Sequence, residues 1–555
     1  MAAAVIGAGS LTGCKKYLDI NTDEDTPQFP DPSSVLPTQL SAIPRGLQYD
    51  ARYVSKYIQN WGNSAVANDN FDKMSFNANS DVNGDIWRQT YFGLGKNLDY
   101  MISEGIKRRN SPYVGVAYAL KAMMYQYATD YHGEIIFSEA FRDQTTFKYD
   151  DQETVYRGID SLCHIALNYL SDSVVNPGAT ALSKGDFVYN GNIVKWKKFV
   201  YGLLTRNFHR TTNKANYQPD SVLYYGNLSL QTIDDDFLIP FDATKLDDAN
   251  FFGTYRNNLG SYRQSNFIVK LLDGTTFTDS LPNTSTRPSY IDPRIKHMLS
   301  RSHDTTNGNG GYRGVDPQGG DPYATLADWY TYAPGSANWT NARKKVAVPW
   351  GDTIYRNPTA SVFSTQYQKY LFADKVVEPI MTSSEIAFTM SEAAYRKGNA
   401  ALAYTYYLKG INLHFDFINR STFPRGNTTI FTTSPISASE RASYLASKNV
   451  KQAATDLTLT DIMLQKYIAL WGWGFFETFV DMRRYHWTDL DPVTGKQVYK
   501  NFNLPNPLGA ENLNKPVYRV RPRFNSEYVW NRAELLRIGA LNLDYHTYQP
   551  WFTQP

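Results

Sequence analysis

Apolar residues recur along residues 152–170 at alternating spacings of four and three. This spacing places them on one face of an α-helix, so this part of the chain is restricted to an amphipathic helix packed on a core. Asp150 and Asp151 precede it and can cap its first turn. A second such helix is predicted over 194–210. The two apolar faces comprise Val155, Ile159, Leu162, Ala166 and Tyr169, and Trp196, Phe199, Val200, Leu203, Leu204 and Phe208.

The same pattern predicts further helices elsewhere in the chain. In the pair over 383–418 the chain turns at Gly398-Asn399, and Gly398, Ala403, Tyr407 and Gly410 fall at offsets like those of a tetratricopeptide unit. Small residues there let the two helices approach closely. We therefore expect a mostly α fold, a helical scaffold assembled from distant parts of the chain. The further helices are predicted near 38–60, 84–108, 112–131, 383–397, 400–418 and 460–482.

The pattern changes between about 212 and 380, where Gly, Pro, Asn and Asp become frequent and helical periodicity fades. Alternation around 267–271 and 345–349 predicts short strands. We expect a long, irregular, loop-rich insertion in a single domain over 38–555, and loops of this kind often carry binding residues.

Aromatic residues make up 15% of the chain, with 41 Tyr and 11 Trp. Aromatic faces stack on the C–H faces of sugars while nearby amides and carboxylates bind hydroxyls, so this composition suits carbohydrate recognition. It equally suits a large core, and core packing is the alternative for every ring. The expected ligand-binding rings lie in a loop-like stretch, and two further candidates lie outside it. These are Trp329, Tyr330, Tyr332 and Trp339, with Trp61 and Tyr312 as the secondary pair.

The N-terminus resembles a bacterial lipoprotein signal. A short apolar stretch over 2–9 precedes Leu11-Thr12-Gly13-Cys14, and small residues before a cysteine are typical of a lipobox. We expect 1–13 to be a signal peptide, Cys14 to be lipidated, and 14–37 to be a tether. No Lys or Arg precedes Cys14, which indicates a truncated or misassigned start. The alternative is a segment without function. Cys163 is instead expected to be buried in a helix.

Several function classes are disfavoured. The net charge is +3 and no long basic stretch occurs, so nucleic acid is not an expected partner. GxSxG, HExxH, Walker A and GxGxxG motifs are absent, although a glycosidase needs only two carboxylates placed by the fold. Asp481, Arg483 and Arg484 are expected to form structural ion pairs. His132 and Glu134 lack metal-ligand spacing, and Asp234–Asp236 lack the pattern of an EF-hand, so a metal site is left open.

Ordered blocks of sequence from residue 14 to about 531 resemble the SusD/RagB family of outer-membrane nutrient-binding lipoproteins. Individually these blocks are loose, but their order follows the family over nearly the whole chain. They are CKKYLDINTDEDTP from Cys14, DIWRQTYFGLGKN over 85–97, AYALKAMMYQYATDYHGEIIF over 117–137, YIDPR over 290–294 with Gly311–Gly314, the helix over 461–484 ending in Asp481-Met482-Arg483-Arg484, and Arg521-Pro522-Arg523-Phe524 with Glu527 and Asn531.

The resemblance implies a helical fold with four tetratricopeptide-like helix pairs. It implies a surface-exposed, lipid-anchored protein of the outer membrane that captures an oligosaccharide or polysaccharide and delivers it to a SusC-type TonB-dependent transporter. No catalysis and no cofactor are expected. An oligopeptide-binding protein of the RagB type is the nearest alternative. A surface glycoside hydrolase and a structural or adhesive surface protein remain open from other classes.

Overall fold

The computed structural model describes residues 29–66, 69–77, 82–172, 175–280, 291–352, 368–423, 433–522 and 524–555. Cys14, the expected signal segment 1–13 and most of the expected tether lie outside these residues. Tyr290 and Arg523 of the family-like blocks lie outside them as well. The division into signal, tether and one domain stays a prediction.

The described chain is mostly helical, which confirms the expected fold class. No described helix is long and apolar enough to cross a bilayer. The helices are α1 Pro32–Tyr57, α2 Asp85–Arg88, α3 Gly95–Lys107, α4 Ser111–His132, α5 Gln152–Ser171, α6 Ile193–His209, α7 Pro219–Leu228, α8 Asn266–Leu272, α9 Thr275–Thr278, α10 Ile295–Met298, α11 Ala337–Ala342, α12 Ser383–Arg396, α13 Ala400–Ile418, α14 Ala438–Leu445, α15 Leu459–Leu470, α16 Phe475–Arg484, α17 Phe524–Trp530 and α18 Arg532–Arg537.

Three predicted helices differ in their ends or continuity. The helix predicted over 38–60 begins earlier, at Pro32, because the Asp31 carboxylate accepts a hydrogen bond from the Ser33 amide at 3.0 Å and caps it. The helix predicted over 84–108 is interrupted by a π-helical turn at Gln89–Gly93. The helix predicted over 460–482 is divided into α15 and α16 around Gly472, which has a positive φ.

Four short strands form two antiparallel pairs, β1 Trp61–Asn63 with β3 Tyr262–Gln264, and β2 Phe237–Phe241 with β4 Val376–Met381. The prediction of strands at 267–271 and 345–349 was wrong. Residues 267–271 lie in α8, where the Ser265 hydroxyl caps the helix and the apolar residues meet the core. The Val346 backbone amide donates to the Asp321 carboxylate, at 2.9 Å, instead of to the carbonyl of a neighbouring strand.

Antiparallel helix neighbours build the scaffold. Helix α4 packs on α3 and α5, α6 packs on α5 and α7, and α12 packs on α13. The turn between α12 and α13 follows the sequence prediction, with Gly398 at φ 82°. A Cβ at Gly410 would lie 2.8 Å from the Phe388 ring, so glycine is needed for the close approach of these helices.

Buried charges connect α4, α6, α12 and α16. The Arg206 guanidinium binds both oxygens of Glu385, at 2.6 and 2.7 Å. Arg210 bridges Asp130, at 2.8 Å, and Glu477, at 2.6 Å. All five side chains are at most 4% exposed, so each charge depends on its partner rather than on water.

A second cluster extends these contacts to α15. Arg484 binds Glu392 at 2.8 Å and Asp481 at 2.7 Å, and Lys466 binds the other oxygen of Asp481 at 2.8 Å. Burial acts to raise the pKa of Glu392, but Arg484 and His209 lower it well below its ordinary value. The structural ion pairs expected at the end of this helix are therefore confirmed for Asp481 and Arg484, whereas Arg483 donates to backbone carbonyls. Together these contacts, the buried ion network, join five helices.

The core contains Trp61, which is 1% exposed. Its ring makes edge contacts with Phe475, at 5.1 Å between centroids, and Phe252, at 5.4 Å. The expectation that Trp61 binds ligand is corrected, because β1 turns the ring into the interior. Cys163 is buried, as expected.

Replacing Trp61 by alanine should therefore cost folding stability. We expect Trp61→Ala to lower the free energy of unfolding by about 3–5 kcal/mol in urea denaturation, since it removes a large buried ring. Trp530, 63% exposed, is the matched control, and Trp530→Ala should change stability by less than about 0.5 kcal/mol. Equal effects of the two substitutions would contradict the core position.

Strand β4 buries the Glu378 carboxyl, which is 3% exposed and lines a small cavity with Gln48 and Trp473. Its Oε2 atom has no hydrogen-bond partner among the described residues. Burial raises the pKa of Glu378 well above its ordinary value. Ionisation of Glu378 therefore favours the unfolded state, in which water solvates the carboxylate.

This pKa shift gives Glu378 a defined effect on stability. Its contribution is fully present below the ordinary value of 4.5 and is lost as the pH rises toward the folded pKa. Glu378→Gln removes this loss, so the variant should gain on the wild type by up to about 1.4 kcal/mol per pH unit. Melting curves at about pH 5 and about pH 8 measure the difference. Parallel pH profiles of variant and wild type would show that the carboxyl is not buried.

Candidate ligand-binding site

Short elements in the insertion bring the expected aromatic rings together. Trp329 begins a 3₁₀ turn, Trp329–Thr331, that packs against α11. The loop-like stretch thus contains a helix, because the Ser336 hydroxyl accepts a hydrogen bond from the Trp339 amide at 3.2 Å and caps α11. Trp329 and Trp339 therefore lie on neighbouring elements.

A histidine and an arginine connect the two tryptophans. The His303 ring lies 4.0 Å from the Trp329 ring between centroids. The Arg343 Nε donates to His303 Nδ1 at 2.8 Å, and its guanidinium carbon lies 4.3 Å from the centre of the Trp339 ring. The side chains thus form one continuous series, Trp329–His303–Arg343–Trp339.

Two tyrosines extend this series. The Tyr330 ring meets Trp329 edge-on at 5.7 Å, and its hydroxyl donates to Asp328 at 3.1 Å. The Tyr332 hydroxyl accepts from the Ala327 amide at 2.9 Å. All six side chains are partly exposed. We call this set the aromatic patch: His303, Trp329, Tyr330, Tyr332, Trp339 and Arg343.

The charge state of His303 follows from its surroundings. Partial burial and the neighbouring Arg343 cation both lower the pKa of His303, against the opposite effect of Asp304. The imidazole is therefore neutral near pH 7 and accepts the Arg343 hydrogen bond at Nδ1. A neutral histidine thus positions the guanidinium without competing for an anion.

A cleft lined by both apolar and polar side chains adjoins the aromatic patch. The two are connected where the Asp304 amide donates to the Arg343 carbonyl, at 2.8 Å, and where Arg313 pairs with the Asp304 carboxylate at 3.1 Å. Tyr312 lies here, but only 6% of it is exposed. Its carbonyl accepts from the Asn307 side chain at 3.0 Å. The residues that line the cleft include Lys270, Asp273, Asn307, Tyr312, Arg313, Asp321, Tyr323 and Lys344.

The sequence-based candidates thus divide into three groups. Trp329, Tyr330, Tyr332 and Trp339 lie together, Tyr312 lies mostly buried in the adjoining cleft, and Trp61 lies in the core. Sequence reasoning missed His303 and Arg343. The spacing of Trp339 and Arg343, four residues apart, could have indicated a ring–cation pair on one helix. No local signal pointed to His303.

The residues considered for metal binding have other partners. Asp235 pairs with Lys198 and Asp236 pairs with Arg420, each at 2.7 Å. His132 is buried, with its Nδ1 2.8 Å from the Val520 carbonyl, and burial lowers its pKa to about 4. Across the described ranges, no group of three His, Cys, Asp or Glu side chains could hold a metal ion.

The sequence of this chain matches a known family, and its fold is similar to those of solved structures. The model of the SusD-like family, described as starch-binding and associating with the outer membrane, matches residues 30–506. None of the curated proteins matches the sequence.

Solved structures share the fold at low sequence identity. A structure described as Bacteroidetes AC2a SusD-like has a TM-score of 0.67 at 18% identity and covers 95% of this chain and 100% of its own. A chitin-binding protein has a TM-score of 0.65 at 19% identity, with the same coverage. A chitin-binding SusD homolog from Flavobacterium johnsoniae has a TM-score of 0.62 at 17% identity, covering 94% of this chain and 98% of its own. With its family model matched over most of its length, this chain belongs to the SusD-like family.

Proposed function

We propose that this protein is a cell-surface glycan-binding lipoprotein that delivers an oligosaccharide or polysaccharide to a SusC-type TonB-dependent transporter. The observation that carries the proposal is the aromatic patch, in which four half-buried rings lie beside a cleft that also presents amide and ammonium groups. Aromatic faces bind the C–H faces of sugar rings, and the amide and ammonium groups of the cleft suit hydroxyl groups.

The expected affinity follows from the number of rings. Stacking of nucleic-acid bases contributes about 1–3 kcal/mol per ring, and sugar stacking is taken to be of similar size. Arg343 covers one face of Trp339, so this ring has one face left for a sugar. Two or three such contacts correspond to dissociation constants in the micromolar to millimolar range.

The family and its relatives support a glycan as ligand. The family description names starch, and two similar structures are described as chitin-binding. Capture and delivery need no bond to be made or broken, so we propose that the protein is not an enzyme. The patch would then bind its ligand through its shape and through its aromatic and charged side chains.

Removing either tryptophan of the patch should abolish most of the binding. In a screen of the full chain in detergent against starch, chitin oligosaccharides, acidic polysaccharides and peptides, Trp329→Ala and Trp339→Ala should each weaken glycan binding about tenfold or more. Isothermal titration calorimetry gives the constants. Trp530→Ala, which removes an exposed ring outside the patch, should bind as the wild type does.

Other outcomes of this screen would replace the proposal. Binding of peptides alone would favour the RagB type of function, and shortened glycan products would indicate a hydrolase. No binding in any arm would favour a structural or adhesive protein.

We propose that a lipid on Cys14 anchors the protein at the outer-membrane surface. Metabolic labelling with palmitate in the native host should mark the wild type and Cys163→Ala, since Cys163 is buried in α5. Cys14→Ala should lose the label and leave the membrane fraction. A labelled Cys14→Ala protein would contradict the anchor.

A further inference from the structure

We propose that the ligand of the aromatic patch is an acidic glycan, whose carboxylate or sulfate is bound by Arg343. This inference rests on the proposed function and names the class of glycan. Two other arginines near the site have carboxylate partners. Arg301 pairs with Asp352 at 3.4 Å and Arg313 pairs with Asp304 at 3.1 Å.

Arg343 differs from these neighbours. Its Nε donates to the neutral His303, and its guanidinium lies over the Trp339 ring. Within the part of the chain that the structure describes, no carboxylate pairs with it and its two terminal nitrogens donate to no acceptor. A guanidinium with both terminal nitrogens available is the group that binds carboxylate or sulfate through two parallel hydrogen bonds.

A second donor at the patch is also without a partner. The Trp329 Nε1 atom is buried and donates to no acceptor in the described ranges. The nitrogen of His303 that faces Arg343 is already used as an acceptor. Asp328 is the carboxylate of this segment, and it accepts from the Tyr330 hydroxyl at 3.1 Å. Both groups without an acceptor at the patch are therefore donors, and the partly exposed one, the Arg343 guanidinium, favours a ligand that supplies acceptors.

The adjoining cleft adds positive charge. Lys270 and Lys344 line it, and neither forms an ion pair with any described residue. Its two carboxylates, Asp273 and Asp321, accept hydrogen bonds from backbone amides rather than from these lysines. Asp321 accepts from Tyr323 and Val346, each at 2.9 Å, and Asp273 accepts from Thr275 at 2.9 Å. A chain of sugars with repeated acidic groups would thus meet cations along the cleft as well as at Arg343.

Pre-organisation strengthens the assignment. The ring face of Trp339 and the hydrogen bond that Arg343 donates to His303 hold the guanidinium before the ligand arrives, so little side-chain entropy is lost on binding. A sugar stacked on the free surface of the tryptophans would present its substituents beside this fixed cation. Neutral glycans would leave Arg343 without an anion.

The test compares matched ligands on the full chain in detergent. An oligogalacturonate is measured with its carboxyl-reduced form, and a sulfated oligosaccharide is measured with its desulfated form. The acidic member of at least one pair should bind about tenfold more tightly than its neutral match. The pair that shows the preference identifies carboxylate or sulfate as the bound group.

Arg343→Gln should bring the ratio of acidic to neutral affinity to about one, whatever its effect on stacking at Trp339, while Arg343→Lys should keep part of the preference. Arg157→Gln is the control, since Arg157 is 72% exposed and pairs with Glu153 on the surface of α5. On the wild type, the affinity for the acidic ligand should fall between about 0.05 and 0.5 M NaCl, whereas that for the neutral ligand should not. This salt titration is independent of any variant.

Equal binding of acidic and neutral members would overturn the inference, and so would an unchanged preference in Arg343→Gln. If a neutral glycan such as a chitin oligosaccharide binds alone and depends on Trp329, the proposed function stands and the inference fails. If no glycan binds, both fail.

Discussion

The buried ion network is the interaction on which the scaffold depends. Helix α6 carries Arg206 and His209, Arg210 follows directly at its C-terminal end, and α12 carries Glu385 and Glu392 seven residues apart. An ion left without its partner in the interior costs several kcal/mol, whereas a complete set of pairs is close to neutral. The charges therefore favour the one register of helices in which every ion is paired.

The same network explains how distant parts of the chain form one scaffold. Asp130 of α4 and Glu477 of α16 meet on Arg210, although 347 residues separate them in the sequence. Arg483 contributes in another way, since it donates to the carbonyls of Tyr518 and Asp130, each at 2.7 Å. Helices that lie far apart in the sequence are thus joined by groups that can be satisfied only in the folded state.

Polar contacts within the insertion hold the segment that carries the aromatic patch. The Gln264 amide donates to the carbonyls of Ser300 and Arg313, and Asp352 accepts from the Arg301 amide and the Lys369 ammonium. These bonds fix both ends of the segment that carries the aromatic patch. An irregular segment with its ends fixed can hold rings partly exposed without building a core of its own.

Local sequence determined much of this protein. The 3.6-residue period gave the long helices, caps such as Asp151 marked their beginnings, and the small Gly410 indicated a close helix pair. Four clustered aromatic residues indicated a candidate site, because neighbours along the chain stay neighbours in the fold. These features depend on contacts within a few residues, which a sequence records directly.

Tertiary structure decided the rest. Trp61 and Trp329 are both tryptophans among polar neighbours, yet one is in the core and the other is on the surface, because only the strand pairing of β1 turns Trp61 inward. The run at 267–271 became helix rather than strand because a cap and the core favoured it. His303 reaches Trp329 and Arg343 from 26 and 40 residues away. Such contacts arise from the path of the whole chain, and no local pattern of residues records them.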